Sequence, residues 1–203
     1  HRGIEATGID FDPTTTQHSL VKDQADLRTG DLLDAGLPAD HFDVVTMYET
    51  LEHVYQPKAT LVEALRVLKP GGRLVVEVPD FGSPWRSILG KYWFPVMVPV
   101  HLHHFTKASL DRVVRSAGLT PERHIGVFVP FESTGSLLLA YCDITGASMY
   151  DVSRIDRALR KPWHLPFLIF LLEWTLVVDL PVMWVLRRLG RTGAQMLIAR
   201  KPQ

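Results

Sequence analysis

The chain has 203 residues, enough for one domain of ordinary size, with 22 Lys plus Arg against 22 Asp plus Glu. Zero formal net charge excludes a general nucleic-acid binder, which needs a basic excess, and 46% apolar against 22% charged residues excludes wholesale disorder. The single cysteine, Cys142, excludes an internal disulfide and a cysteine-built metal site, and it points to a reducing, cytoplasmic setting.

His1-Arg2-Gly3-Ile4-Glu5 has neither an apolar signal core nor a cleavage signature. It lacks a Met and runs at once into a strand-like segment, so the expectation is a sequence that begins mid-domain. Up to about residue 130, short apolar runs alternate with helical patterns, the mark of an α/β domain with a parallel sheet. Strands are expected at 4–9, 26–30, 43–48, 73–78 and 124–129. Asp12-Pro13 starts a first helix. The clearest helix runs from Pro57 to Leu68, with Leu61, Ala64, Leu65 and Leu68 as its apolar stripe and Pro70-Gly71-Gly72 as its stop. Another runs from Lys107 to Ala117, capped by Thr106, striped by Leu110, Val113, Val114 and Ala117, and ended by Gly118. Residues 135–160 have helical character, Lys161 to Leu189 is strongly apolar, and Gly193 to Pro202 reads as a closing strand.

Chemistry enters at Gly8-Ile9-Asp10. An acid at the carboxyl end of a parallel strand sits where open α/β sheets bind ligands, and its ionised oxygens can accept strong hydrogen bonds from a ribose diol. Gly30-Asp31 follows after about one helix and one strand, so Asp31 is expected on the neighbouring strand end, within reach of an adenine amino group. Phe42-Asp43-Val44-Val45 then opens a buried strand, and Leu65 to Gly72 links a helix to another central strand.

The ordered series GID (8–10), GD (30–31), FDVV (42–45), LEHV (51–54) and LRVLKPGG (65–72) resembles class I S-adenosylmethionine-dependent methyltransferases over roughly residues 3–130, with ARKP (199–202) similar to their last strand. The resemblance implies S-adenosylmethionine as cofactor. It makes Asp10 the ribose-binding acid with Phe11 beside the adenosine, Asp31 and Leu32 the adenine contacts, and Met47 and Tyr48 neighbours of the cofactor's amino acid portion and sulfonium. The family's glycine-rich loop has no counterpart here, which implies a missing first strand, exposed apolar edges on the strands beside its place, and weakened cofactor binding by this piece.

Glu49, Glu52 and His53 share one face if 49–53 is a helical turn. The E-x-x-E-H pattern resembles that of metal-assisted O-methyltransferases, which implies a divalent ion such as magnesium orienting a substrate hydroxyl; the alternative is a solvated turn with His53 near the cofactor. His101, His103 and His104 form a second group with no carboxylate near in sequence. The H-x-x-H-F-T stretch resembles the segment beside the family's acceptor pocket, making His104 the first choice of base and His53 the second catalytic candidate.

Leu165 to Leu186 is long enough to span a bilayer at about 1.5 Å per residue. Glu173, Asp179 and Pro181 argue against spanning; Arg187, Arg188 and Arg191, with Trp163, Trp174 and Trp184 as interface anchors, fit helices packed on the domain or a lid at a membrane surface. The expected fold is therefore α/β, a Rossmann-like and mostly parallel sheet with an antiparallel last strand. It lacks the first strand, and an apolar helical insertion fills 131–190 between a core of 1–130 and a closing strand at 191–203. The expected function is methyl transfer to oxygen, nitrogen or carbon of a small quinone-like, lipid-like or sugar-like acceptor. No nucleic-acid partner is expected, and the location is cytoplasmic, peripheral at the inner membrane surface through 163–189. Two alternatives stand beside it: a non-enzymatic docking protein on the same fold, and a nicotinamide-dependent dehydrogenase, for which G-x-G-x-x-G and a Tyr-Lys pair are not visible.

Overall fold

The computed structural model describes residues 3–21, 24–129, 132–145 and 165–203, so the expectations for 146–160 and for Trp163 fall outside the described residues. Strands β1 (Thr7–Asp10) and β2 (Asp26–Thr29) pair in parallel around helix α1 (Pro13–His18), whose first turn Asp12 caps. Strands β3 (Phe42–Tyr48), β4 (Leu68–Pro79), β5 (Thr120–Val127) and β6 (Ala194–Arg200) form a second sheet in the order β3-β4-β6-β5. Within it β3 and β4 are parallel, and β6 runs antiparallel to both β4 and β5, as the sequence leads one to expect of the closing strand.

Most local signals act as read, but Pro70-Gly71-Gly72 lies inside β4, which begins at Leu68, and β5 starts at Thr120, earlier than the expected 124. Helix α2 (Pro57–Val67) buries Leu61 and Ala64 on the sheet, and Leu68 ends it as the first residue of β4. Helix α4 (Lys107–Ser116) starts on a capping box in which the Thr106 side chain accepts from the Ser109 N–H while Ser109 Oγ accepts from the Thr106 N–H, and Gly118 leaves it with φ +93°. These two helices cover one face of the sheet, over Met47, Leu74, Val76, Val78, Leu197 and Ala199. The strands alternate, so Val44, Thr46, Val75, Met196 and Ile198 point to the other face, where they are half-buried or exposed.

No hydrogen bonds join β1 to β3 among the described residues. A cleft of about 1030 Å³ lies between them, lined by Ala6, Thr7, Asp26, Phe42, Val44 and Lys69 among others. Val44 is 52% exposed there, an open apolar position on the strand at the edge of the larger sheet.

Helix α3 (Pro84–Leu89) follows β4, and short turns at 90–96 lead to the histidine segment. Between β5 and β6 stand α5 (Glu132–Thr145), α6 (Leu165–Trp174) and α7 (Leu180–Arg188), the last two joined without a break by a π turn over Thr175–Asp179. The wider turn explains how Pro181, which has no N–H, fits in a continuous helix: Leu180 N–H reaches back five residues to Thr175 O.

Candidate active site

Asp10 ends β1 and Asp31 follows β2. In the parallel register Asp10 lies opposite Thr29, so both carboxylates stand at the carboxyl rim of neighbouring strands. Each is oriented by the main chain: Asp12 N–H donates to Asp10 Oδ1 (2.8 Å), and Leu33 N–H donates to Asp31 Oδ1 (3.1 Å). Gly30 N–H also donates to Asp10 O (2.9 Å), tying the two strand ends together. One oxygen of each carboxylate is thus held, and the other remains to accept from a ligand. Phe11 is 60% exposed beside them. Leu32 turns inward and packs against the main core.

At the end of β3 the strand alternation separates two expected neighbours. Tyr48 is exposed at the rim, but the Met47 side chain is buried in the core against α2 and α4, so it is the main chain of Met47 that reaches the rim.

The Glu49–His53 segment is not a helical turn. Glu49 takes a left-handed step at φ +46°, its N–H donates to Glu77 O on β4, and a turn closes from His53 N–H to Thr50 O. The result brings in a residue that sequence spacing does not reveal. Glu52 O accepts from the N–H groups of Leu102 and His103, which fastens the histidine segment to this turn and sets His101 against it. One ligand atom from each of Glu52, His53 and His101 lies within 4.8 Å of the other two. The carboxylate that the histidine group lacks in sequence arrives from 49 residues away.

Both imidazoles are fixed in one tautomer. His53 Nδ1–H donates to Val100 O (3.0 Å) and His101 Nδ1–H to Pro95 O (2.7 Å), which leaves the Nε2 lone pair of each to bind a ligand. Burial lowers the pKa of His101, keeping it neutral, the form that ligates. Glu52 is 1% exposed, and neither of its oxygens receives an N–H or hydroxyl donor. What faces it is a second carboxyl: desolvation, and then the Glu52 charge, push Glu49 up to about 8. Burial raises Glu52 and Glu77 as well. Carboxyls so placed share a proton, and a cation held at Glu52 would take that proton's place. Two imidazoles with one buried carboxylate suit a transition-series dication better than magnesium.

His104 belongs to a different contact set. Its Nε2–H donates to Val96 O (2.9 Å) and its ring lies 4.9 Å from that of Phe81, so Nδ1 is the free nitrogen. His103 stands apart from both, its ring 6.1 Å from Phe105.

Residues 1–124 match the family model described as a methyltransferase domain. The chain belongs to this methyltransferase family. It is 31% identical over 124 residues to a probable S-adenosylmethionine-dependent methyltransferase of Mycolicibacterium smegmatis, a match covering 60% of this chain and 46% of that one. It is 34% identical over 150 residues to a ubiquinone biosynthesis O-methyltransferase of Cereibacter sphaeroides, covering 66% of this chain and 60% of the relative. The chain thus spans about half the length of the curated relatives it matches. Among solved structures, a SAM-dependent methyltransferase from Archaeoglobus fulgidus superposes with a TM-score of 0.58 at 16% identity, covering 98% of this chain and 77% of that one. The [4+2]-cyclase SpnF does so at 0.59 and 19%, covering 98% and 66%. At such identities the likeness establishes the Rossmann-like fold alone, and a cyclase among the neighbours shows why the chemistry has to be argued from residues.

Proposed function

We propose that the protein transfers the methyl group of S-adenosylmethionine to a hydroxyl oxygen of a small, apolar, quinone-precursor-like acceptor. The observation that carries the reading is the pair Asp10 and Asp31, each held by a main-chain N–H with an oxygen to spare, on one rim of neighbouring strands. Acceptors in that arrangement suit a ribose diol and an adenine amino group. The exposed Phe11 ring beside them offers the base an apolar platform. The bound cofactor supplies an already activated methyl group. What remains for the chain is to align the acceptor, exclude water and remove one proton.

The acceptor side is the turn at 49–53 and the histidine segment. Glu52, His53 and His101 are the residues that would hold a divalent cation, with Glu49 next to them. An ion held there would polarise a substrate hydroxyl and lower its pKa. His104, with Nδ1 free, is the proposed proton acceptor; His53 takes that role if no metal is held. The relatives named for ubiquinone biosynthesis O-methylation support an oxygen nucleophile.

The test is transfer of a labelled methyl group to a simple catechol, with manganese or with a chelator. Label is expected in an ether product, the chelator should slow the reaction at least about tenfold, and His104→Ala should slow it by roughly 10²–10⁴. Transfer indifferent to chelator and to Glu52→Gln removes the metal from this reading. Bound cofactor with no transfer to any hydroxyl removes the oxygen acceptor.

A further inference from the structure

Helices α6 and α7 and the π turn between them form one rod, of which Ile169–Arg188 is long and apolar enough to cross a membrane, with a mean hydropathy of 1.9. Only 22% of that apolar stretch is buried within the described molecule. The buried part is a single file at four-residue spacing: Leu171, Thr175, Asp179 and Met183. Asp179 fixes it. Its carboxylate accepts from the Ser133 and Thr134 N–H groups at the start of α5 and from both hydroxyls, and Trp174 Nε1–H donates to Ser133 Oγ. A spanning helix would break all of these bonds and carry Asp179 into hydrocarbon. The rod is therefore held side-on to the domain.

We propose that the outward side of this rod docks on an anionic lipid surface. Val177 is 72% exposed, Leu189 65%, Leu172 61%, Trp184 58% and Leu176 57%, a contiguous apolar strip of a kind that monomeric soluble proteins seldom leave bare. Arg187, Arg188 and Arg191 end the strip, and the Arg188 guanidinium sits 4.6 Å over the Trp184 ring, a pairing suited to headgroup depth. Glu173 is the one acid on the exposed side of α6 and α7. A net positive apolar strip complements lipid phosphates. A second copy fits less well, because it would cover three arginines with a single acid available.

The rod also connects to the acceptor side. Glu132, next to the two residues that bind Asp179, accepts from Trp93 Nε1–H; Ser136 Oγ accepts from Phe94 N–H; and the carbonyls of Pro95 and Val96 hold His101 and His104. The rod is thus joined by hydrogen bonds, through the start of α5, to the segment that holds those histidines. The docking itself does not depend on the methyl-transfer reading.

Co-sedimentation of the chain with phosphatidylcholine vesicles, with and without phosphatidylglycerol, tests the inference. Binding to the phosphatidylglycerol vesicles is expected, with Trp184 emission shifting to the blue and affinity falling between about 0.05 and 0.5 M salt. The double variant Leu176→Glu, Val177→Glu should bind at least about tenfold more weakly with unchanged melting temperature, since both side chains are exposed. Arg187→Gln, Arg188→Gln should lose most of the preference for phosphatidylglycerol. The inference fails if the protein stays in the supernatant with both vesicles, or if the double variant binds like the parent. It fails equally if sedimentation shows a dimer that the double variant dissociates without any vesicle binding.

Discussion

Glu52 is the residue on which the proposed acceptor-side chemistry turns. Among the described residues the buried Glu52 carboxyl meets no N–H or alcohol donor and shares a proton with Glu49, so Glu52→Gln should make the metal-free protein more stable by about 1 kcal/mol. The same change should abolish the response to metal. At an ion concentration near a hundred dissociation constants the parent should gain about 2.7 kcal/mol, a melting shift of roughly 5–10 °C. Differential scanning calorimetry with and without manganese reads both effects. A parent that ignores manganese while Glu52→Gln destabilises it would mean that Glu52 is structural only. Asp10, Asp31, Glu52 and His53 were all visible as candidates in the sequence, because strand-end acids and the E-x-x-E-H spacing are local signals. His101 as a partner of Glu52 was not, because main-chain bonds from Leu102 and His103 to Glu52 O create that contact across 49 residues. The direction of the Met47 side chain is set by the strand's two-residue alternation, which turns it to the buried face and leaves its main chain at the rim.

At the scale of elements, the helical insertion is fastened to the sheet by Glu132 as well as by Asp179. Glu132 is 1% exposed, accepts from Ser83 Oγ (3.0 Å) and Trp93 Nε1–H (2.6 Å), and is pushed up to about 7, chiefly by burial. The folded chain therefore keeps a proton there that the unfolded chain releases above about pH 4.5. Unfolding releases protons between about pH 4.5 and 7, so this group's contribution to stability falls across that window and is constant above it. Glu132→Gln should flatten the fall, on the order of 2–3 kcal/mol, in denaturant titrations at pH 5 and 8. An unchanged slope would mean that the proton is not held at Glu132. Gly193, at the entry to β6, touches the same carboxylate: a Cβ there would overlap the Glu132 carboxyl. With Glu132 pinned by two hydrogen bonds, Gly193→Ala should cost about 1–3 kcal/mol, whereas Gly190→Ala, which meets no atom, should act only through its φ of +64°. Helices α2 and α4 were readable to within a residue because their stripes and caps are local. The π turn was not, because it reconciles Pro181 with the buried Asp179 contact, a tertiary demand.

On the scale of the whole molecule, two units share one rim but not one core. Among the described residues every buried apolar one lies at Leu37 or beyond, so β1, β2 and α1, which present Asp10 and Asp31, contribute none of them. A two-stranded parallel pair beside a cleft is marginal by itself. Amide exchange is expected to be fast in 7–10 and 26–29 and slow in 74–78, and ligand binding should slow the first two segments most. Uniform protection of all three would contradict this division. The parallel order and the antiparallel last strand were legible from strand spacing and the ordered motifs. The open second face, where Val44 is exposed, follows from which layers the described residues supply.

In the proposed function Asp10 and Asp31 together grip the nucleoside part of S-adenosylmethionine. Titration calorimetry with S-adenosylhomocysteine measures that grip directly. Saturable one-to-one binding is predicted, weakened about tenfold or more by Asp10→Ala and by Asp31→Ala separately, as expected for the loss of a charge-assisted hydrogen bond. Absence of saturable binding, or variants that bind as tightly as the parent, would contradict it.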